Sequence, residues 1–303
     1  MSEHIVHTSV LKDSFLLIKE SEEICPEFKE IADEYEDFAL LGSITRGGDN
    51  FTVDLLDAFQ KRWSQNNSDD KLLPAKLAFV LGWLSHRAAD RQMKPIWRGS
   101  DFPTDQSPTE CSVYHEAFMF REYYSDNKKM NRAILGEDLL DNCLLEDKKQ
   151  VEKVIELFRA ILKRVLIEMH TFIPPYEGEI EEYLERLFES QQEFKEDLMD
   201  RYAKAIVDPD PEKAKKYIRD INFFSYNDGI IDLVKKLREG KQIEQDEFKN
   251  KVRNKPKSHY GKTLYISYNY LHKASEFFNS RINMKELKEG LDIDKPGRHG
   301  GYV

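Results

Sequence analysis

Three cysteines, Cys25, Cys111 and Cys143, are scattered over 303 residues. Their odd number and wide spacing exclude a disulfide framework and a cysteine-rich zinc site, and leave the thiols as small core residues. No apolar run approaches the roughly 20 residues that a membrane-spanning helix requires. The opening MSEHIVHTSVLKDSF has no basic stretch leading into an apolar one, so no secretory leader is expected and the cytoplasm is the expected compartment. Positive charge is in deficit as well: 46 Lys and Arg against 56 Asp and Glu leave a net charge of -10. That balance argues against a general affinity for nucleic acid or anionic membrane, both of which need a basic footprint. Also missing is strict apolar-polar alternation over a strand length closed by a hairpin turn, and with it the signature of a sheet.

What is present is helical periodicity. With 40% hydrophobic residues, including 18 Phe and 14 Tyr, the chain can bury a sizeable core, and the pattern reads as all-α, a multi-helix bundle. Helices are expected over roughly 3–19, 26–42, 51–64, 73–94, 109–125, 147–170, 178–206, 211–218, 226–239, 243–252 and 259–282. The stretches SITRGGDN at 43–50, KPIWRGSDFPTDQSP at 94–108, IPPYEGE at 173–179 and DPDP at 208–211 combine Gly, Pro and capping residues and read as loops. A mild shift in composition near residue 145 divides the chain into 1–145, which carries the candidates for chemistry, and a helical 146–303 packed on the same domain.

The segment LLPAKLAFVLGWLSHRAADRQMK opens with Pro74 in its first turn and should end near Pro95. At about 100° per residue, Phe79, Gly82, Trp83, His86, Asp90 and Met93 share one stripe of a buried helix. His86 and Asp90 are therefore stacked one turn apart. The spacing lets both reach a single ion, and equally lets Asp90 hydrogen-bond His86 with no ion between them. Arg87 and Lys94 flank the pair, placed to hold a phosphate or to bridge surface carboxylates. Near the N-terminus His4 and His7 share a face of the first helix. Asp49 follows Gly47-Gly48, and a carboxylate on such a turn suits a cation, or caps the helix beginning near Phe51. His115 in ECSVYHEAFMFREYYSD shares its stripe with Glu122 and Asp126, as a ligand set or as a polar member of an aromatic core.

Leu41-Gly42-Ser43 followed by Asp49, and then FVLGWLSHRAAD, resemble the zinc-dependent phospholipase C family, whose relatives include single-strand-specific nucleases of fungi. The resemblance extends in order from the early histidine to His115. It implies an all-α bundle with its metal cluster in a cleft. The ligands it implies are His7, Asp49, His86, Asp90 and His115, with Glu122 as a replacement ligand. One or two ions of zinc or another divalent transition metal would activate a water for attack on phosphorus. Asp49 would orient or deprotonate that water, Asp90 would bridge, and Arg87 and Lys94 would hold the phosphate of a small phosphoester or phospholipid-like substrate. The chain departs from the family pattern where residues 50–85 lack a histidine, where Lys94-Pro95 replaces a His-Pro pair, and where Met119 stands in place of a glutamate. These departures keep open a different class of protein, a non-catalytic helical interaction or scaffold protein with a structural or degenerate metal site. Its surfaces for partners or for homo-oligomer formation would lie on the helices of 147–206 and on YGKTLYISYNYLHKASEFF.

Overall fold

The computed structural model describes residues 4–44, 52–65, 73–100, 109–124, 205 and 208–293. Among them every regular element is helical, as the periodicity requires. In chain order these are α1 (His4–Glu20), α2 (Pro26–Glu34), α3 (Glu36–Ile44), α4 (Thr52–Ser64), α5 (Leu73–Ser100), α6 (Glu110–Tyr124) and α7 (Pro211–Ala214). After α7 the chain continues as a π-helical stretch, Lys215–Asp220, and then forms α8 (Gly229–Arg238), α9 (Gln245–Arg253), α10 (His259–Phe278) and α11 (Met284–Gly290). None of the described helices is long and apolar enough to cross a membrane. The helix expected over 147–170, that expected over 178–206 except for Ala205, and the boundary expected near residue 145 lie outside the described residues.

Three expectations are corrected. The single helix foreseen over 26–42 is two, because Tyr35 leaves helical geometry at φ -124° and ψ 24°; α3 then restarts with Glu36 and Asp37 in its first turn, where acidic groups favour the helix dipole. The helix foreseen to stop at residue 94 runs through Pro95 to Ser100. An interior proline costs about 3 kcal/mol, and burial of Met93 and Trp97 on the turns to either side offsets it. Helix α11 was not foreseen. Its start is a capping box in which Asn283 accepts from the Glu286 amide while Glu286 accepts from the Asn283 amide.

The chain divides into two compact units that interleave in sequence: Met1–Val6 with Trp97–Ile221, and His7–Ile96 with Asn222–Val303. In the first, the buried Glu116 of α6 accepts hydrogen bonds from the amides of Ile5 and Val6 at 2.7 and 2.9 Å, satisfying two donors that the start of α1 leaves orphaned. Asp210 caps α7 through the amides of Glu212 and Lys213, and its own amide donates to the Tyr114 hydroxyl.

In the second unit, α1 is tied to α10 through small hydroxyls. Ser14 donates to Ser267 at 2.7 Å, and Ser21 pairs with the Tyr268 hydroxyl at 2.8 Å. Between these helices and α8, the buried Asp13 receives Arg238 on both oxygens, at 2.7 and 2.6 Å from Nη2, and the Tyr260 hydroxyl at 2.8 Å. A carboxylate so placed is stable only because each oxygen is paired. Asp228 does similar service at the start of α10, accepting from the amides of Lys257 and Ser258 at 2.8 Å each.

Candidate metal centre

The position of His86 follows from two glycines. Helices α3 and α5 cross with their backbones in contact: a Cβ on Gly42 would lie 2.0 Å from the Phe79 carbonyl oxygen, and one on Gly82 would lie 1.8 Å from that of Ala39. No other residue type fits at either position without moving a helix. The close crossing brings the Ser43 carbonyl, near the end of α3, to 2.8 Å from Nδ1 of His86. A carbonyl can only accept, so Nδ1 carries the proton. When the ring is neutral, Nε2 is then a bare lone pair.

That lone pair faces a carboxylate. Nε2 of His86 lies 3.1 Å from Oδ2 of Asp90, one turn further along α5, yet out of line for a hydrogen bond, and it makes none. His7 of α1 stacks on His86 with ring centroids 4.4 Å apart and 25° between planes, and its Nε2 lies 3.3 Å from Oδ1 of the same carboxylate. Both rings are buried, at 2% and 6% exposure. Burial by itself pushes the Asp90 carboxyl up, but the two imidazoles beside it, His86 first, outweigh that and hold the group well below the usual carboxylate range. An anion is thus kept in a buried site between two nitrogens, with an electron pair on one of them aimed beside it rather than shared.

His7, His86 and Asp90 can hold a metal ion, since one ligand atom from each falls within 4.8 Å of the other two. The spacing fits. Two donors each about 2.1 Å from an ion and subtending a tetrahedral angle lie about 3.4 Å apart, close to the 3.3 and 3.1 Å found here. The Ser43 carbonyl on the far nitrogen of His86 supplies the outer hydrogen bond that fixes tautomer and ring orientation in metal-ligating histidines. Two imidazoles and one carboxylate are a donor set used by catalytic zinc and by ferrous iron, both of which leave positions open for water or substrate.

The remaining residues expected at the site fall otherwise. Asp49 lies outside the described residues. His115 is fully buried and uses both ring nitrogens on protein: Trp97 Nε1 donates to Nδ1 at 2.9 Å, and Nε2 donates to the Tyr217 carbonyl at 2.9 Å. No lone pair is left for an ion, so the expectation that His115 is a ligand is corrected to a core histidine. Glu122 is half-buried on α6 and is not in the ligand group. Arg87 is buried and donates to the carbonyls of Leu291 and Asp292 at 3.2 and 3.1 Å, holding the C-terminal end of α11 where a cation is favoured. Its expected role at a substrate phosphate gives way to that one. Lys94 is paired with Asp90 Oδ2. Trp97, expected in a loop, is a buried residue of α5.

Two contributors escaped the sequence reading. The Ser43 carbonyl carries no side-chain signal, although the glycines at 42 and 82 are the trace of the crossing that delivers it. Glu116, next to His115 but about 100° round the helix from it, proves to be the cap of α1. Comparison with family models, curated proteins and solved structures gives no match.

Proposed function

We propose that the protein is a metal-dependent hydrolase of phosphoesters, with zinc or another divalent transition ion held by His7 Nε2, His86 Nε2 and Asp90. One observation carries the reading: His86 commits Nδ1 to the Ser43 carbonyl, while its buried Nε2 lies 3.1 Å from a carboxylate oxygen without a hydrogen bond between them. Two acceptors held so close in a buried site favour a cation beside them. A divalent ion there would lower the pKa of a bound water to about 7 and polarise a phosphoryl oxygen. The stacked imidazoles and the Ser43 carbonyl hold the donors in register, and burial excludes bulk water. Asp49, by the family resemblance, takes the proton as the water oxygen bonds to phosphorus and the bond to the leaving alcohol breaks; that proton then passes to the departing oxygen. The net charge of -10 disfavours long nucleic acids as substrates, leaving a small phosphoester or a phospholipid-like headgroup.

A second reading rests on Lys94, whose ammonium already neutralises Asp90. In it the cluster is a structural polar core of a helical interaction protein. Elemental analysis of protein purified without chelator from cells supplied with zinc, manganese and iron separates the two. The enzyme reading expects bound metal in the wild type, its loss in His86→Ala and Asp90→Ala, and chelator-sensitive release of nitrophenol from bis(nitrophenyl) or nitrophenyl phosphate. Metal-free protein of chelator-independent stability would leave only the structural reading.

A further inference from the structure

Three cations lie between His86 and Pro95 on α5, and they are directed differently. Arg87 reaches the carbonyls at the end of α11. Arg91 donates to the Tyr270 hydroxyl at 2.8 Å and pairs with Asp292 at 3.2 Å. Lys94 turns back one helical turn, and its ammonium bridges to Oδ2 of Asp90 with only 17% of the side chain exposed. That oxygen is also the one 3.1 Å from Nε2 of His86, while Oδ1 faces His7. Each carboxylate oxygen therefore has a basic partner, and one of them carries a full positive charge.

We propose that Lys94 is the resident second cation of this site, limiting it to one divalent ion and setting how tightly that ion is held. The inference rests on the reading that His7, His86 and Asp90 bind metal. A carboxylate that bridges two ions gives one oxygen to each. With the ammonium on Oδ2, a second ion would have to settle within a few ångströms of a fixed like charge in a partly desolvated site, where repulsion is far stronger than in water. The first ion, held among His7, His86 and Asp90, feels the same charge and must share with Lys94 the negative charge that Asp90 supplies. Lys94 is thus an affinity-determining residue that acts through Asp90.

The test is a zinc titration of the full chain against a chromophoric competitor, with stoichiometry read by native mass spectrometry. Wild type should take one ion per chain. Lys94→Met, which keeps the length and removes the charge, should bind that ion about tenfold more tightly or better, as loss of a nearby like charge predicts; Lys94→Arg should stay near the wild-type affinity. If Lys94→Met does not fold, Lys94→Gln carries the same comparison. Two ions on the wild type, or neutral variants within twofold of its affinity, overturn the proposal while leaving the metal site intact. Zinc binding that His86→Ala does not diminish, or no binding by any variant, removes the metal reading and this inference with it.

Discussion

His86 and His115 are both buried, both on helices, and both spaced from a carboxylate in a way that suggests a ligand. The difference between them is what each has left to offer. His115 gives one nitrogen to Trp97 and the other to the Tyr217 carbonyl, and is finished as a hydrogen-bonding group. His86 gives one nitrogen to Ser43 and keeps the other without a hydrogen bond beside Asp90. A structural histidine is one whose two nitrogens the fold consumes; a ligand is one on which the fold uses a single nitrogen to aim the other. Each is an imidazole with a carboxylate on its own helical stripe, four residues on for His86 and seven for His115, and the partners decide between them.

The contrast can be broken most severely at the crossing that aims His86. Gly82→Ala drives a Cβ into the Ala39 carbonyl, and we expect a loss of about 3 kcal/mol or more in urea unfolding, because backbone must shift rather than a side chain. Gly99, in the same helix with nothing within 4 Å of its would-be Cβ, is the control: Gly99→Ala should gain about 0.5–1 kcal/mol from the better helix former. Equal losses at the two glycines would deny the crossing its special role.

Next in size is His115→Ala, expected to cost about 2–4 kcal/mol through a cavity and two stranded hydrogen-bond partners, with metal content as in the wild type. His86→Ala strands one hydrogen-bond partner rather than two and should cost the metal-free protein less, about 2 kcal/mol with its cavity, while abolishing metal binding. Matching stability losses with unchanged metal content in both variants would erase the distinction drawn between the two histidines.

The smallest effect sharpens the comparison with a third imidazole. His259 accepts from Gln92 Nε2 through Nδ1 at 2.8 Å, a bond only the neutral ring can make, and burial together with the nearby Lys262 charge pushes its pKa below the ordinary 6.5. The unfolded chain therefore binds the proton more readily. Its contribution to stability is complete above pH 6.5 and is lost as pH falls from there through the lower folded value. Unfolding free energies of His259→Gln measured across that window should show a flatter acid slope than the wild type; an unchanged slope would clear His259 of the effect.

Much of this architecture was legible in sequence, for identifiable reasons. The helices α4, α8, α9 and α10 declared themselves because their apolar faces repeat at helical spacing and their ends carry recognisable stop signals. The break at Tyr35 and the passage through Pro95 were not legible, since both depend on what neighbouring turns bury rather than on local preference. At the site, stacking of His86 over Asp90 could be read from spacing alone, and His7 could be named as a companion. Which histidine would be consumed by the core could not, because the deciding partners of His115 include a backbone carbonyl far along the chain. The role of Lys94 was visible as charge but not as direction: on a helix it could equally have faced water.

Where α3 meets α5, no side chain stands between the two backbones, so no change of rotamer can let one slide on the other. The Ser43 carbonyl and the root of His86 are therefore spaced by main chain against main chain, a distance that substitution elsewhere scarcely alters. Asp90 and Lys94 hang from the same rigid rod a turn or two further on. Geometry and chemistry are thereby separated in this protein: the aim of the imidazole is inherited with two glycines, whereas the charge around it can drift by single replacements, and a lineage could gain, lose or retune an ion here without refolding anything.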